Sequence, residues 1–404
     1  MESQVDVTDA ALDKPTGYLR DPYPYFEGKR RQAGVFPGTV MDYSKTPESL
    51  RPETQFAAVS FEAVNQVFRE SDSFNSHIYD VTIGLFLGPT ILAMEGEKHR
   101  KHRNLVSSAF KRKSLAHWEP AVVRPVCTAL IDEFVDAGSA DLVHDFAFEF
   151  PTRVISKLLG LPEEDLPWFR QRSLELISYT VDYQSAFSSS AALKDYFLTQ
   201  MDKRKSHPTE DIIGDLVTAE VDGEKLTDEA IYSFLRLLLP AGLETTYRAT
   251  SNLLYLLLTH PEQFAAVRAD HDLIGAAIEE GLRYETPLTT VQRTAIRDTE
   301  VAGVAIPAGA VVDVCIGSAN RDETRWERPA EFDIFRKWIP HITFAAGEHT
   351  CMGLHLARME MRVAMECLLD RLTDIALVTD GDPHIYGQPF RSPRRLPVTF
   401  AANA

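Results

Sequence analysis

The chain has 404 residues, 44% of them hydrophobic, a formal net charge of -17 and four cysteines. That acidity argues against nucleic acid or an anionic membrane as the main partner, and the length suits two or three ordinary domains or one large one. No apolar run nears the roughly 18 residues of a membrane span. The start, MESQVDVTDAALDKPTG, reads as neither signal nor transit peptide, and Cys127, Cys315, Cys351 and Cys367 form no CxxC pair; a reduced cytoplasm is expected.

After about fifteen residues expected to be mobile, helical patterns dominate the chain order: 61–69, 97–110, 120–135, 151–159, 163–178, 211–220, 227–259, 261–285 with one break, and 354–372. The span 227–259 is long for a globular helix, with Thr227 suited to cap it and Pro261 just beyond its end. Strand-like runs are short and late. Residues 301–317 are expected to form a hairpin around Pro307-Ala308-Gly309, and 396–400 (LPVTF) an edge strand. With no repeat and no low-complexity linker, the expectation is one mainly α domain with small β-sheets across the whole chain.

Inside the long helical span, FLRLLLPAGLETTYRATSN (234–252) contradicts itself. Its leucines call for a buried helix, yet Pro240 removes a backbone donor at a cost of about 3 kcal/mol. Gly242, Glu244, Thr245 and Thr246 follow at once. A threonine there can bond its own carbonyl four residues back, and a carboxylate in so apolar a helix is out of place.

Further on, FAAGEHTCMGLHLARMEMRVAMECLLDRL (344–372) sets Cys351 between Gly347 and Gly353, just before an amphipathic helix. A helix N-terminus favours thiolate, and glycines let backbone pass close to a flat partner. An isolated cysteine would read as a small buried hydrophobe; this spacing says otherwise.

Phe344-x-x-Gly347-x-His349-x-Cys351-x-Gly353-x-x-Leu356-Ala357-Arg358 resembles the haem-ligand loop of the cytochrome P-450 family, bacterial soluble type. That family usually has glycine after the phenylalanine, where this chain has Ala345. The resemblance implies a haem b between the 227–259 helix and the 344–372 segment. Cys351 would be its axial thiolate, a ligand that pushes electron density to favour O–O cleavage. His349 would reach a propionate, and Phe344, Gly353 and Ala241 would lie against the ring.

Three further stretches resemble the family in the expected order. Glu280-Gly281-Leu282-Arg283 matches its E-x-x-R helix, whose buried pair would cost about 3–5 kcal/mol to break; Arg328 or Arg336 would complete it. In MEGEKHRKHRNLVSSAF (94–110), His99 and Arg103 share one helical face and would neutralise a propionate, as would Arg293. Ala241-Gly242-Leu243-Glu244-Thr245-Thr246 matches the signature over the distal haem face. There Thr245 would hydrogen-bond dioxygen and Glu244 would relay protons.

The implied activity is insertion of one oxygen atom of dioxygen into a hydrophobic small molecule. By resemblance the pocket is lined by the 77–92 loop, Leu237, Pro240, Ala241, Leu288, Thr289, Val291, Pro389 and Phe390, under a roof formed by 167–187. Electrons would come from NAD(P)H through an external reductase and an iron–sulfur ferredoxin, the protein acting as a monomer. The basic run holding Lys98, Arg100, Lys101, Lys111, Arg112 and Lys113 reads either as a solvated helix face or as the ferredoxin's docking face. A peroxide-driven peroxygenase and a haem sensor are alternatives that would not need the Glu244–Thr245 pair. A zinc site from His341, His349, Cys351 and His355 matches no common spacing.

Overall fold

The computed structural model describes residues 20–43, 48, 51–107, 110, 112–178, 182–221 and 223–403. The N-terminal stretch expected to be mobile lies outside them. Local sequence explains many helix limits. Ser60 accepts from the amide of Ala63 to open Phe61–Arg69, which buries Ala63, Val64, Val67 and Phe68 on one face. Thr227 likewise accepts from the amide of Ala230, and Pro261 sits at the start of the next helix, Pro261–Ala269.

The span 227–259 is not one α-helix. Regular turns run over Asp228–Leu238 and Thr245–Thr259, and between them Leu239–Glu244 is wound in wide π-type turns. Pro240 has no N–H to give the carbonyl of Arg236, so the ladder cannot continue in α register through it. The broken span is called the split helix below.

Several helices escape the hydrophobic period, among them Tyr23–Arg30, Arg112–Trp118 and Tyr183–Ser206. Tyr23–Arg30 buries only Tyr23 and Phe26. Tyr183–Ser206, 24 residues long, buries Ser189, Ser190, Gln200 and Arg204 alongside Leu193, Phe197 and Met201. Half its inward face is polar, which mutes the pattern. Those polar groups are matched: Arg204 donates to both oxygens of Asp211 and to the carbonyls of Leu159 and Gly160.

A five-stranded sheet flanks the helical core in the order Val35–Pro37, Gln55–Ala58, Val311–Val314, Val291–Ala295, Phe74–Asn75. Val311–Val314 is buried at all four positions and runs parallel to Gln55–Ala58, as a strand covered on both faces should. The hairpin expected around Pro307–Gly309 therefore turns elsewhere. Ala302 and Gly303, both left-handed (φ 49° and 79°), join Thr299–Val301 to Val304–Ile306. The Pro307–Gly309 bend releases the chain to the large sheet. Pro397–Ala402 is not an edge strand either; it lies between Leu372–Leu377 and Ser139–Asp141. No helix among the described residues is long and apolar enough to cross a membrane.

Candidate active site

Exposed residues occur in two of the stretches that the sequence singled out. In the π-type turns, Ala241 and Gly242 are exposed while Leu239, Pro240, Leu243 and Glu244 around them are buried. The second is the loop carrying Cys351, an exposed residue whose thiol nonetheless has protein packed closely enough around it to be partly desolvated.

The loop carrying Cys351 is fixed from several sides. The Cys351 amide donates to the Phe344 carbonyl at 3.0 Å, closing residues 344–351 into a compact turn. Gly347 has φ +74°, and a Cβ there would lie 2.4 Å from the Phe68 carbonyl oxygen, so only glycine fits. Ala345 holds φ 59°, the left-handed region glycine prefers. Helix Leu354–Arg371 follows, pinned to helix Ile274–Tyr284 by Arg358, which donates to both oxygens of Glu279 at 2.6 and 2.8 Å and covers the Phe344 ring at 4.5 Å. Burial pushes the Cys351 thiol up, while the amides of Gly353 and Leu354 and the cations Arg103 and Arg358 pull it back toward thiolate. These are the groups a thiolate ligand needs, and a Cβ at Gly353 would sit 3.9 Å from its sulfur.

A cluster of nitrogen donors lies beside this loop. Arg103, on helix Gly96–Ser107, donates to the Thr350 carbonyl at 2.6 Å. The His99 and His349 rings lie 4.2 Å apart, tilted by 32°, and His349 Nε2 lies 3.2 Å from Glu95 Oε2. Burial, then His349 and Arg103, depress the His99 pKa to about 4. Arg293 is buried on strand Val291–Ala295, donating to the Gln292 carbonyl over the Phe68 ring. Together these side chains suit an anionic group at the loop's edge. His341 instead meets Glu279 at 3.2 Å, and the described residues bring no three metal-ligating side chains together.

The distal residues take a defined state. The Thr245 hydroxyl donates to the Ala241 carbonyl at 2.8 Å, the local bond expected of an isolated helical threonine. Glu244 is buried and paired with Arg248 at 3.0 Å; burial lifts its pKa to about 6 against the pull of Arg248. Arg248 escaped the sequence reading although its i, i+4 spacing from Glu244 was in plain view.

The expected wall segments are joined. Leu288 bridges Phe390, the Thr289 amide donates to the Pro389 carbonyl at 2.8 Å, and Gln388 bonds the hydroxyls of Thr289 and Thr290. The Gln388–Pro389 peptide is cis. Leu237 and Pro240 are buried and Val291 half-buried. Of the roof, residues 179–181 lie outside the described ones. Around that stretch Phe86 packs edge-on against Tyr183 at 6.0 Å and beside Phe187 at 5.9 Å. Beneath them Arg236 is buried among carbonyls and a hydroxyl: Nη1 donates to Phe86 O, Ser190 O and Ser190 Oγ, and Nη2 to Leu87 O.

Arg283 donates to both carboxylate oxygens of Glu280 in a buried bidentate ion pair, at 2.7 and 2.8 Å, and also donates to the carbonyls of Asn320, Pro329 and Glu331. Arg336 is the third partner, 3.4 Å from Glu280 Oε1. Arg328 turns to exposed Glu331 and to Asp333. On the basic helix Lys98, Arg100 and Lys101 are exposed; Arg100 pairs with Glu97 and Lys101 with Glu224. Lys111 lies outside the described residues, as do the side chains of Arg112 and Lys113.

An α-rich fold with a helix opened at its centre, and a thiol loop beside paired histidines and arginines, is the arrangement a haem-thiolate protein would need. The sequence profile of cytochrome P-450 matches residues 161–387. The putative cytochrome P-450 YjiB of Bacillus subtilis is 34% identical over 369 residues, 89% of each chain. The biotin biosynthesis cytochrome P-450 of the same organism is 32% identical over 403 residues, covering 98% of this chain and all of that one. Among solved structures, cytochrome P-450 CYP109Q5 from Chondromyces apiculatus superposes with a TM-score of 0.87 at 31% identity, covering 98% of both chains. CYP109E1 from Bacillus megaterium, in complex with testosterone, superposes with 0.83 at 28% identity, covering 94% of this chain and 99% of that one. The chain belongs to the cytochrome P-450 family, an oxidoreductase of the monooxygenase class that uses haem and dioxygen.

Proposed function

We propose that this monooxygenase hydroxylates a hydrophobic small molecule with Cys351 as the thiolate that holds the haem iron. The observation that carries the reading is the Cys351 thiol, faced by the amides of Gly353 and Leu354 and by Arg103 and Arg358. His99, Arg103, His349 and Arg293 would hold the propionates, Phe344 and Gly353 the thiolate face, and Ala241 the opposite face. Glu280 and Arg283 fix the helix to which Arg358 ties the thiol loop.

The haem, when bound, supplies the chemistry that splits dioxygen and places one oxygen atom in a C–H bond. The chain excludes water and orients the substrate with Leu237, Pro240, Leu288, Thr289, Val291, Pro389 and Phe390. Glu244, with a pKa near 6, gives up and regains a proton close to neutrality. Thr245 passes it on when its hydroxyl leaves the Ala241 carbonyl. The apolar wall supports a substrate of terpenoid, steroid or aromatic type, and testosterone in CYP109E1 is in keeping with that. Electrons would come from NAD(P)H through a ferredoxin seated on the helix of Lys98, Arg100 and Lys101. The internal pairs of Arg100 and Lys101 make that face less positive than its sequence suggests.

The test is the absorption spectrum of the purified, reduced protein under carbon monoxide. A strongly red-shifted Soret band that Cys351→Ala abolishes is expected; a colourless protein, or a band that survives the substitution, refutes the assignment. Turnover with a ferredoxin system against peroxide alone separates monooxygenase from peroxygenase. Thr245→Ala should keep haem and binding while diverting electrons to peroxide, and unchanged coupling would remove Thr245 from proton delivery.

A further inference from the structure

Only one carboxyl oxygen of Glu244 is accounted for. Oε1 accepts from Arg248 Nη2 at 3.0 Å and Nε at 3.3 Å, while buried Oε2 has no partner among the described residues. Arginine and carboxylate usually pair fork to fork, two donors on two oxygens. Here both donors crowd one oxygen, because the guanidinium is also held from the other side. Arg248 Nη1 donates to Ser392 Oγ at 2.9 Å, and the group lies over the rings of Tyr247 and Phe390 at 5.0 and 5.6 Å. Phe390 belongs to the wall segment that closes on Leu288.

Other charges near this turn are committed elsewhere. On the packed helices Glu149–Leu158 and Leu166–Ile177, Arg170 pairs with Glu149, Arg153 with Glu133 and Glu149, and Arg172 with Glu175. On the segment around Ser392, Arg391 pairs with Glu285 and Arg394 lies over Tyr386. Arg248 is the cation that acts on Glu244, and Tyr247 is the other titratable neighbour.

Resting on the proton-delivering role given to Glu244, we infer that Arg248 is its positioning residue and transmits the state of the substrate wall to it. The guanidinium is a rigid plane, so a substrate pressing Phe390 and the Ser392 segment shifts all its donors together. Drawn toward Ser392, it loosens its hold on Oε1. The carboxyl then takes up a proton more readily and can turn Oε2 toward Thr245. Proton loading thus follows substrate seating.

The titration that tests the positioning role needs no known substrate. The carboxyl stretch of Glu244, isolated as the infrared difference between the haem-loaded wild type and Glu244→Gln, is titrated with pH in Arg248→Gln, Ser392→Ala and the double variant. Arg248→Gln should raise the midpoint by about one unit, tenfold in proton affinity. Ser392→Ala, which lets the pair close into a fork, should lower it in the wild-type background and leave it unmoved in Arg248→Gln. An unchanged midpoint in Arg248→Gln, or equal shifts by Ser392→Ala in both backgrounds, overturns the inference. If Arg248→Gln does not load haem, Arg248→Lys is expected to give an intermediate midpoint, and a midpoint equal to wild type counts against it. Failure of the underlying role is seen separately, as unaltered coupling of electron use to product in Glu244→Gln.

Discussion

The buried acid–arginine network offers the sharpest quantitative test, because two arginines competed in the sequence for its third place. Arg283→Ala would leave Glu280, 6% exposed, with a single cation at 3.4 Å and would strip donors from the carbonyls of Asn320 and Pro329. Breaking a buried pair on one side costs about 3–5 kcal/mol, a large part of the roughly 5–15 kcal/mol that holds a protein folded. Arg336 contributes a longer contact to Glu280 plus bonds to the carbonyls of Glu327, Arg328 and Glu331, which can turn to water when it is removed. Its loss to alanine should cost about 1–2 kcal/mol. Arg328 makes only exposed or half-exposed ion pairs, so Arg328→Ala should stay within about 0.5 kcal/mol of wild type. Urea unfolding of the haem-loaded protein, followed by circular dichroism, ranks the three. Equal costs for Arg328→Ala and Arg336→Ala, or a cost below about 1 kcal/mol for Arg283→Ala, would refute the assignment.

Ala345→Gly should relieve a left-handed strain of about 1–2 kcal/mol, partly offset by about 0.5–1 kcal/mol of unfolded-chain freedom; a lower melting temperature would contradict it. Burial pushes the Glu279 carboxyl up, but Arg358 and His341 outweigh it and hold it at about 2. A carboxyl depressed on folding contributes stability above its ordinary pKa of about 4.3 and loses it as pH falls toward 2. Glu279→Gln should therefore flatten the acid limb of a stability–pH curve in that window, and superimposable limbs would count against the pairing. Pro240→Ala should change substrate preference in a ligand-binding screen, since Pro240 shapes the opened turn; a change in stability alone would make the proline a purely structural feature.

Much of the site was legible because chemistry fixes its spacing. A thiol, two glycines and a histidine within a short loop, or an acid and a threonine beside a broken helix, leave little freedom. What the sequence hid depends on long-range partners. Arg336 and Arg328 look alike until Glu280 selects one. The Tyr183–Ser206 helix hides its inner face behind serines whose partners lie elsewhere in the chain, as with Ser190 and the Phe86 carbonyl. The hairpin was misplaced because Pro-Ala-Gly is the louder turn signal. The large sheet needed Val311–Val314 for its own, parallel to a strand more than 250 residues earlier. Thr245, finally, rests in the bond any helical threonine could make, so its identity in sequence does not show its working state.

Arg236 joins the split helix to the segment ending at Leu87 and to helix Tyr183–Ser206 through three carbonyls and the Ser190 hydroxyl, with no carboxylate among its acceptors. Burial lowers its pKa to about 10, so it stays cationic across the physiological range. Lifting either segment by itself would take two of the four acceptors from a buried cation, leaving it only half satisfied. The shared cation therefore penalises separating the two segments, since parting them costs hydrogen bonds to a buried charge.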